Sequence, residues 1–223
     1  MKRILFLSAV ALLCSALTSQ AKKPKDQEFN RVIVTLTSGE KVEGYVKRGW
    51  HAEDSHFKTA NYSFKLIPTP DSKDAVKYTA DSVASVEYTE ARENHPDGLR
   101  WEVWKLAIPT IADRFHTERR FVCVDAVCEN STIYWWKYWD RTYNGQQMIV
   151  KLVTAYGIRF NGEDIVYNFN LLLPAMLKTT HPGLGEMYKN YFKGKEGKAR
   201  KKELKDDITV MARPYDEWLK TKK

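Results

Sequence analysis

The sequence predicts an α+β fold, mainly antiparallel β, with a small curled barrel-like sheet at the N-terminus, a second antiparallel β region and a short helical C-terminus. Three observations carry this. Short runs rich in Val, Ile, Thr, Tyr and Trp alternate with turn residues from Phe29 to Phe169. Asn161-Gly162, inside that stretch, is a strong two-residue hairpin signal. Apolar residues at helical spacing begin only after Asn170, most clearly as Leu184, Met187, Tyr188 and Tyr191. The 223 residues, 43% hydrophobic and 29% charged, suffice for a real core and exclude a disordered or membrane-embedded chain. Eleven Gly and eight Pro exclude collagen-like character, and three Cys exclude a disulfide-dense mini-protein.

Residues 1–21 read as a signal peptide. Met1-Lys2-Arg3 is a positive head, Ile4 to Leu17 is apolar apart from two serines, and Ser19 and Ala21 supply the small residues of a cleavage site. The run is too short and wrongly flanked for a permanent span, and no later run reaches spanning length. Acylation of Cys14 is disfavoured because Leu13 stands where a lipoprotein signal has a small residue; a retained anchor is the weaker alternative. The mature chain is therefore expected to be exported, periplasmic or secreted, with no transmembrane segment. The net charge is +8, and Lys2 and Arg3 leave with the signal. In the cytosol such an excess would suggest nucleic acid; export turns the expectation to anionic envelope components or to plain solubility.

Residues 22–28 form a polar leader. A β unit follows over 29–90: Phe29–Thr37 and Lys41–Arg48 flank the turn Ser38-Gly39-Glu40, and Gly44 marks a bend or close backbone approach. Tyr62–Ile67 stops at Pro68-Thr69-Pro70, and Val76–Tyr78 and Val83–Tyr88 are joined by Thr79-Ala-Asp81-Ser82, a single turn of 3₁₀ helix. The charged stretch Glu90 to Gly98 separates this unit from an antiparallel region over 99–169. There, strands are expected at Arg100–Ile108, Arg119–Val124, Thr132–Asp140, Met148–Phe160 and Asp164–Phe169. The helical segment, 170–223, packs on that region, with helices over Leu171–Leu177, around Tyr188, through Leu204, Ile208 and Met211, and from Pro214. The basic run Lys193 to Lys205 reads as a solvated connector.

Val34-Thr-Leu-Thr-Ser-Gly-Glu-Lys-Val-Glu-Gly44, closed by Tyr78-Thr-Ala-Asp-Ser-Val-Ala-Ser-Val86, resembles a small β-barrel of the SH3/Sm-like kind. More specifically it is similar to the opening of uncharacterised exported proteins of Gram-negative bacteria, in which such a unit precedes a further β region and a helical tail. The resemblance implies that architecture and carries no known activity.

The stretch Thr132-Ile-Tyr-Trp-Trp-Lys-Tyr-Trp139 is the most informative for function. As a strand it sends Ile133, Trp135, Lys137 and Trp139 to one face and Tyr134, Trp136, Tyr138 and Asp140 to the other. Lys137 argues that the Trp135/Trp139 face is the outer one, two indoles flanking an ammonium. Such a surface suits a sugar ring or a protein partner. The competing arrangement covers it with the C-terminal helices, Lys137 reaching past to water.

Cys123 and Cys128 would meet in an oxidising compartment. A disulfide needs the chain to turn between them, and Val124-Asp-Ala-Val127 lacks the usual turn residues, so the bridged and unbridged forms both stay open. His51 and His56, with Glu53 and Asp54, are acceptable ligand types at no standard spacing, and no metal is expected there. No G-x-S-x-G, H-E-x-x-H, P-loop or G-x-G-x-x-G occurs, which lowers the case for an enzyme without eliminating it. The expectation is an exported, non-catalytic envelope-binding module, with Trp135, Lys137 and Trp139 as its ligand site. It has no cofactor and no nucleic acid, an envelope protein or glycan as partner, and an oligomeric state left open. The alternative is a periplasmic glycan-active hydrolase with unidentified carboxylates.

Overall fold

The computed structural model describes residues 29–50, 62–90, 98–109, 115–170 and 172–222; of Pro109, Trp139 and Arg141 the backbone alone is described. Residues 1–21, expected from the sequence to be a signal peptide, with Cys14 among them, and the His51–His56 stretch lie outside the described residues. Ten strands come first: β1 Phe29–Leu36, β2 Lys41–Lys47, β3 Ser63–Ile67, β4 Val76–Thr79, β5 Val83–Tyr88, β6 Arg100–Pro109, β7 Phe115–Val127, β8 Ser131–Asn144, β9 Gln147–Phe160 and β10 Ile165–Asn168. The helices follow: α1 Leu173–Thr180, α2 Leu184–Tyr191, α3 Gly194–Glu203, a 3₁₀ turn Ile208–Met211, and α4 Arg213–Lys220. The fold is thus α+β, rich in antiparallel sheet, with its helices confined to the C-terminus.

The strands lie in the order β10-β9-β8-β7-β6-β5-β1-β2-β3-β4, and β10 pairs a second time, parallel, with β6. Alternating valines dictate which face of the N-terminal strands is buried: Val32 and Val34 of β1 and Val46 of β2 are fully enclosed. Five strand spacings separate β3 from β7, roughly 24 Å in a flat sheet. Yet the rings of Phe64 and Phe121 are 5.5 Å apart, and Arg119 Nε donates to the Ala80 carbonyl at 3.1 Å. The sheet therefore curls until its far strands meet. It does so without closing as a barrel, for β4 ends the order and reaches β5 only through the turn that Ser82 N makes to Thr79 O. Trp50 fills the curl, its ring 5.0 Å from Phe64, 5.2 Å from Trp101 and 5.3 Å from Phe121, its Nε1 donating to Tyr88 Oη. Each such buried aromatic contributes on the order of 2 kcal/mol of apolar burial. This core takes Trp101, Val103, Phe121 and Cys123 from β6 and β7 as well as the valines of β1, β2 and β5.

The second pairing of β10 joins β6, β7, β8, β9 and β10 into a ring of strands. Leu106, Val122, Tyr134, Trp136 and Val166 face one another inside it. Gly157 permits the approach: a Cβ there would stand 2.7 Å from Val166 Cγ1 and 2.9 Å from the Tyr167 carbonyl. Outside the ring, α1, α2 and α4 cover Ala107, Ile158, Phe160 and Tyr167, with Tyr215 stacked on Phe160 at 4.0 Å. The middle strands are consequently buried on both faces. β8 shows it: Ile133 on one side and Tyr134 and Trp136 on the other are all enclosed, so the face carrying Trp135 and Lys137 is not simply an outer one.

The basic run is likewise not a loop. Most of it forms α3, in which Gly197 sits directly on the Phe192 backbone, where a Cβ would be 2.2 Å from the Phe192 carbonyl carbon. Its glycine serves a close approach instead of breaking the helix. The helix expected through Leu204, Ile208 and Met211 is only the 3₁₀ turn, capped by Asp207 accepting from Thr209 N.

Candidate functional site

β8 and β9 stay paired from Ser131↔Phe160 to Asn144↔Gln147, while β7 accompanies β8 only through Thr132–Trp135. Among the described residues, Trp136–Asn144 and Gln147–Ala155 have no strand partner except each other. The result is a two-stranded ribbon running roughly 30 Å beyond the last three-strand pairing. Gly145-Gln146 turns it, between the paired residues Asn144 and Gln147, Gly145 taking φ +63°.

Pairs opposite one another share a face. Trp135↔Tyr156, Lys137↔Thr154, Trp139↔Leu152 and Tyr143↔Met148 therefore line one side of the ribbon. That side holds four of the large exposed apolar residues: Tyr143 at 74%, Met148 at 41%, Leu152 at 39% and Tyr156 at 37%. Ile149 is exposed on the opposite side.

The residues named from the sequence fall at the root of this face. Trp135 is half-buried, its ring edge-on to Trp101 at 5.0 Å, so it forms the rim of the N-terminal core and not an open platform. Lys137, half-buried, holds Nζ 6.0 Å from the Trp135 ring centroid. The Trp139 backbone continues the face opposite Leu152; its side chain lies outside the described residues. Cys123 belongs to the N-terminal core and Cys128 to the core beneath the helices, and no disulfide joins them. The chain runs extended from one to the other, with a single irregularity near Asp125, and five extended steps span about 16 Å where a bridge allows about 7 Å. Burial, followed by the charge of Asp216, pushes the Cys128 thiol up.

Two polar clusters were not foreseen. Glu102, at the mouth of the strand ring, accepts from Tyr134 Oη at 2.8 Å, Trp104 Nε1 at 2.7 Å and Arg100 Nε at 2.9 Å. Arg159 lies over the Trp104 ring and donates to Tyr134 Oη. Both Glu102 oxygens are thus occupied by structural donors. Glu163 differs. Its Oε1 meets His181 Nε2 at 2.5 Å, while Oε2 is buried with no hydrogen-bond partner. His181 Nδ1 lies 2.9 Å from Thr180 Oγ1, and the group borders a cleft of about 540 Å³ shared with Tyr167 and Asp164. The Thr180 hydroxyl also donates to the Met176 carbonyl at 3.5 Å, so hydroxyl, imidazole and carboxylate form a positioned polar chain and not an activated nucleophile. Nothing in the spacing of Glu163 and His181 announces it, because α1 has to fold back over the β9–β10 hairpin to bring them together.

Among the described residues no group of three or more His, Cys, Asp or Glu could hold a metal ion, and no helix is long and apolar enough to cross a membrane. Known protein families, curated proteins and solved structures contain no match to this chain.

Proposed function

We propose that this is an exported, non-catalytic interaction protein of the cell envelope that docks through the β8–β9 ribbon. One observation carries the reading: Tyr143, Met148, Leu152 and Tyr156 stand exposed on one side of a ribbon whose outer edges pair with no other described strand. Two strands alone are marginal in water, and exposed apolar rows on them mark a surface made to be covered. Unpaired edges add backbone donors and acceptors for an incoming strand. This favours a protein partner over a glycan, since the flat stacking platform a sugar needs is compromised where Trp135 packs on Trp101. The Met1–Ala21 sequence supports export.

The test is crosslinking in intact cells followed by mass spectrometry, comparing the natural chain with Tyr143→Ser/Met148→Ser/Leu152→Ser. One dominant envelope protein is expected on the natural chain, reduced about tenfold or more in the variant. The melting temperature should move by no more than about 4 °C, because all three side chains are exposed. Equal crosslinking of both chains would remove the ribbon from consideration.

The hydrolase reading has one observation in its favour, the uncommitted oxygen of Glu163 in its cleft. Hydrolysis of any envelope glycan by the natural chain, abolished by Glu163→Gln, would replace the non-catalytic reading.

A further inference from the structure

A second cleft, about 640 Å³, opens between the exit of β10 and the helices, far from the ribbon in the order of elements. Its walls are Phe169, Leu173, Pro174, Tyr188 and Phe192. Phe169 and Phe192 meet edge-on at 5.5 Å, and the Tyr188 hydroxyl is committed to the Met211 carbonyl at 2.9 Å, so that ring adds only aromatic surface. Asn170 Oδ1 is likewise engaged, accepting from Leu172 N at 2.8 Å. The rim carries Lys189, Lys193 and Lys201, all exposed, and no acidic residue lines the cleft. Lys189 pairs with Glu186 at 3.3 Å; among the described residues Lys193 and Lys201 make no ion pair. The volume lies within the range of about 300–1,000 Å³ common to small-molecule sites.

Apolar walls under a wholly cationic rim specify an amphiphile by charge and shape together. A hydrocarbon chain displaces water from the phenyl, leucyl and prolyl surfaces, and a single anionic head comes to rest among the ammonium groups. A neutral apolar molecule would make no use of the lysines, and a cationic one would be repelled. We infer that this cleft binds a free long-chain carboxylate, its chain against Phe169, Leu173 and Phe192 and its head between Lys193 and Lys201.

Isothermal titration of the full chain with dodecanoate, below its micellar concentration, tests this. Butanoate, octanoate and dodecyltrimethylammonium serve as comparators. One dodecanoate should bind per chain, and affinity should rise about fourfold per added methylene between the short and long carboxylates. Dodecyltrimethylammonium should bind at least about tenfold more weakly than dodecanoate, and raising the salt should weaken dodecanoate binding. The exposed double variant Lys193→Glu/Lys201→Glu should lose about tenfold or more in dodecanoate affinity while its melting temperature stays within about 4 °C. Should the variant unfold, the chain-length series and the cationic comparator still decide. Equal affinity for the anionic and cationic chains, no dependence on chain length, or absence of dodecanoate binding would each overturn the inference. So would attachment only to vesicles of anionic phospholipid, which would make the lysines a membrane-facing patch. None of these outcomes bears on the ribbon.

Discussion

Tyr134, Tyr167 and Tyr188 each carry a phenol into a core, and burial is the main reason their protons are held so firmly. Tyr134 and Tyr167 are pushed up to about 12, and Tyr188 is raised as well. An unfolded phenol titrates near about 10. Between about pH 10 and 12 the unfolded chain therefore releases protons that the native chain keeps. The contribution of these groups is complete below about pH 10 and is lost as pH rises toward 12. The melting temperature should show this loss above about pH 10, with part of the phenolate absorbance appearing only on unfolding. A smooth phenolate titration finished near pH 10 in a still-folded chain would contradict it. At this scale the sequence told much about side-chain direction and little about cover. Strand alternation correctly set Trp135 and Lys137 on one face and Tyr134 and Trp136 on the other. It could not tell that Trp101, a distant residue, lies against Trp135, nor that β10 would close over Tyr134.

Gly157 sets the geometry of the closing strands, and its replacement tests the ring of β6 to β10 as an element. A methyl group there would press on Val166, Trp136 and the Tyr167 carbonyl, the last of which is backbone and cannot swing aside. Gly157→Ala should destabilise by about 1–3 kcal/mol in denaturant titration. A gain in stability, the ordinary result of Gly→Ala where space allows, would show that the strands do not close so tightly. Element positions were largely legible, because each strand is written in β-branched and aromatic residues between turn signals. The tip of the ribbon was the main omission. Strands were expected to stop at Asp140 and restart at Met148, although Asn144-Gly145 is the same turn signal as Asn161-Gly162. The polar residues around it concealed a pairing that needs no buried face. α3 was missed because the basic run was read from its charge as a solvated connector, and a helix whose side chains are mostly exposed leaves no apolar periodicity to find.

Taken whole, the molecule joins a curled N-terminal core, a strand ring and a helical cap; the root of the ribbon lends Trp136, Tyr138 and Ala155 to the strand ring, and its outer part extends without feeding any of the three. Among the described residues, none of the three buried clusters draws a side chain from 141–150. Excising Arg141–Val150 and joining the paired residues Asp140 and Lys151 through Asn-Gly should therefore leave the melting temperature within about 4 °C. The same excision should remove the crosslinked partner. A large drop in melting temperature would mean that the ribbon folds back as structure. The parallel contact of β10 with β6, written into no local signal, has a kinetic side. Lys105 must wait for Ile165 to be made and brought back across the whole β7–β9 excursion, a costly closure of the kind that slows folding. Until then the edge of β6 is open at its middle, and a nascent or truncated chain ending before Ile165 offers that edge to any neighbour. The last strand, once docked, is thus also the chain's protection against edge-to-edge aggregation.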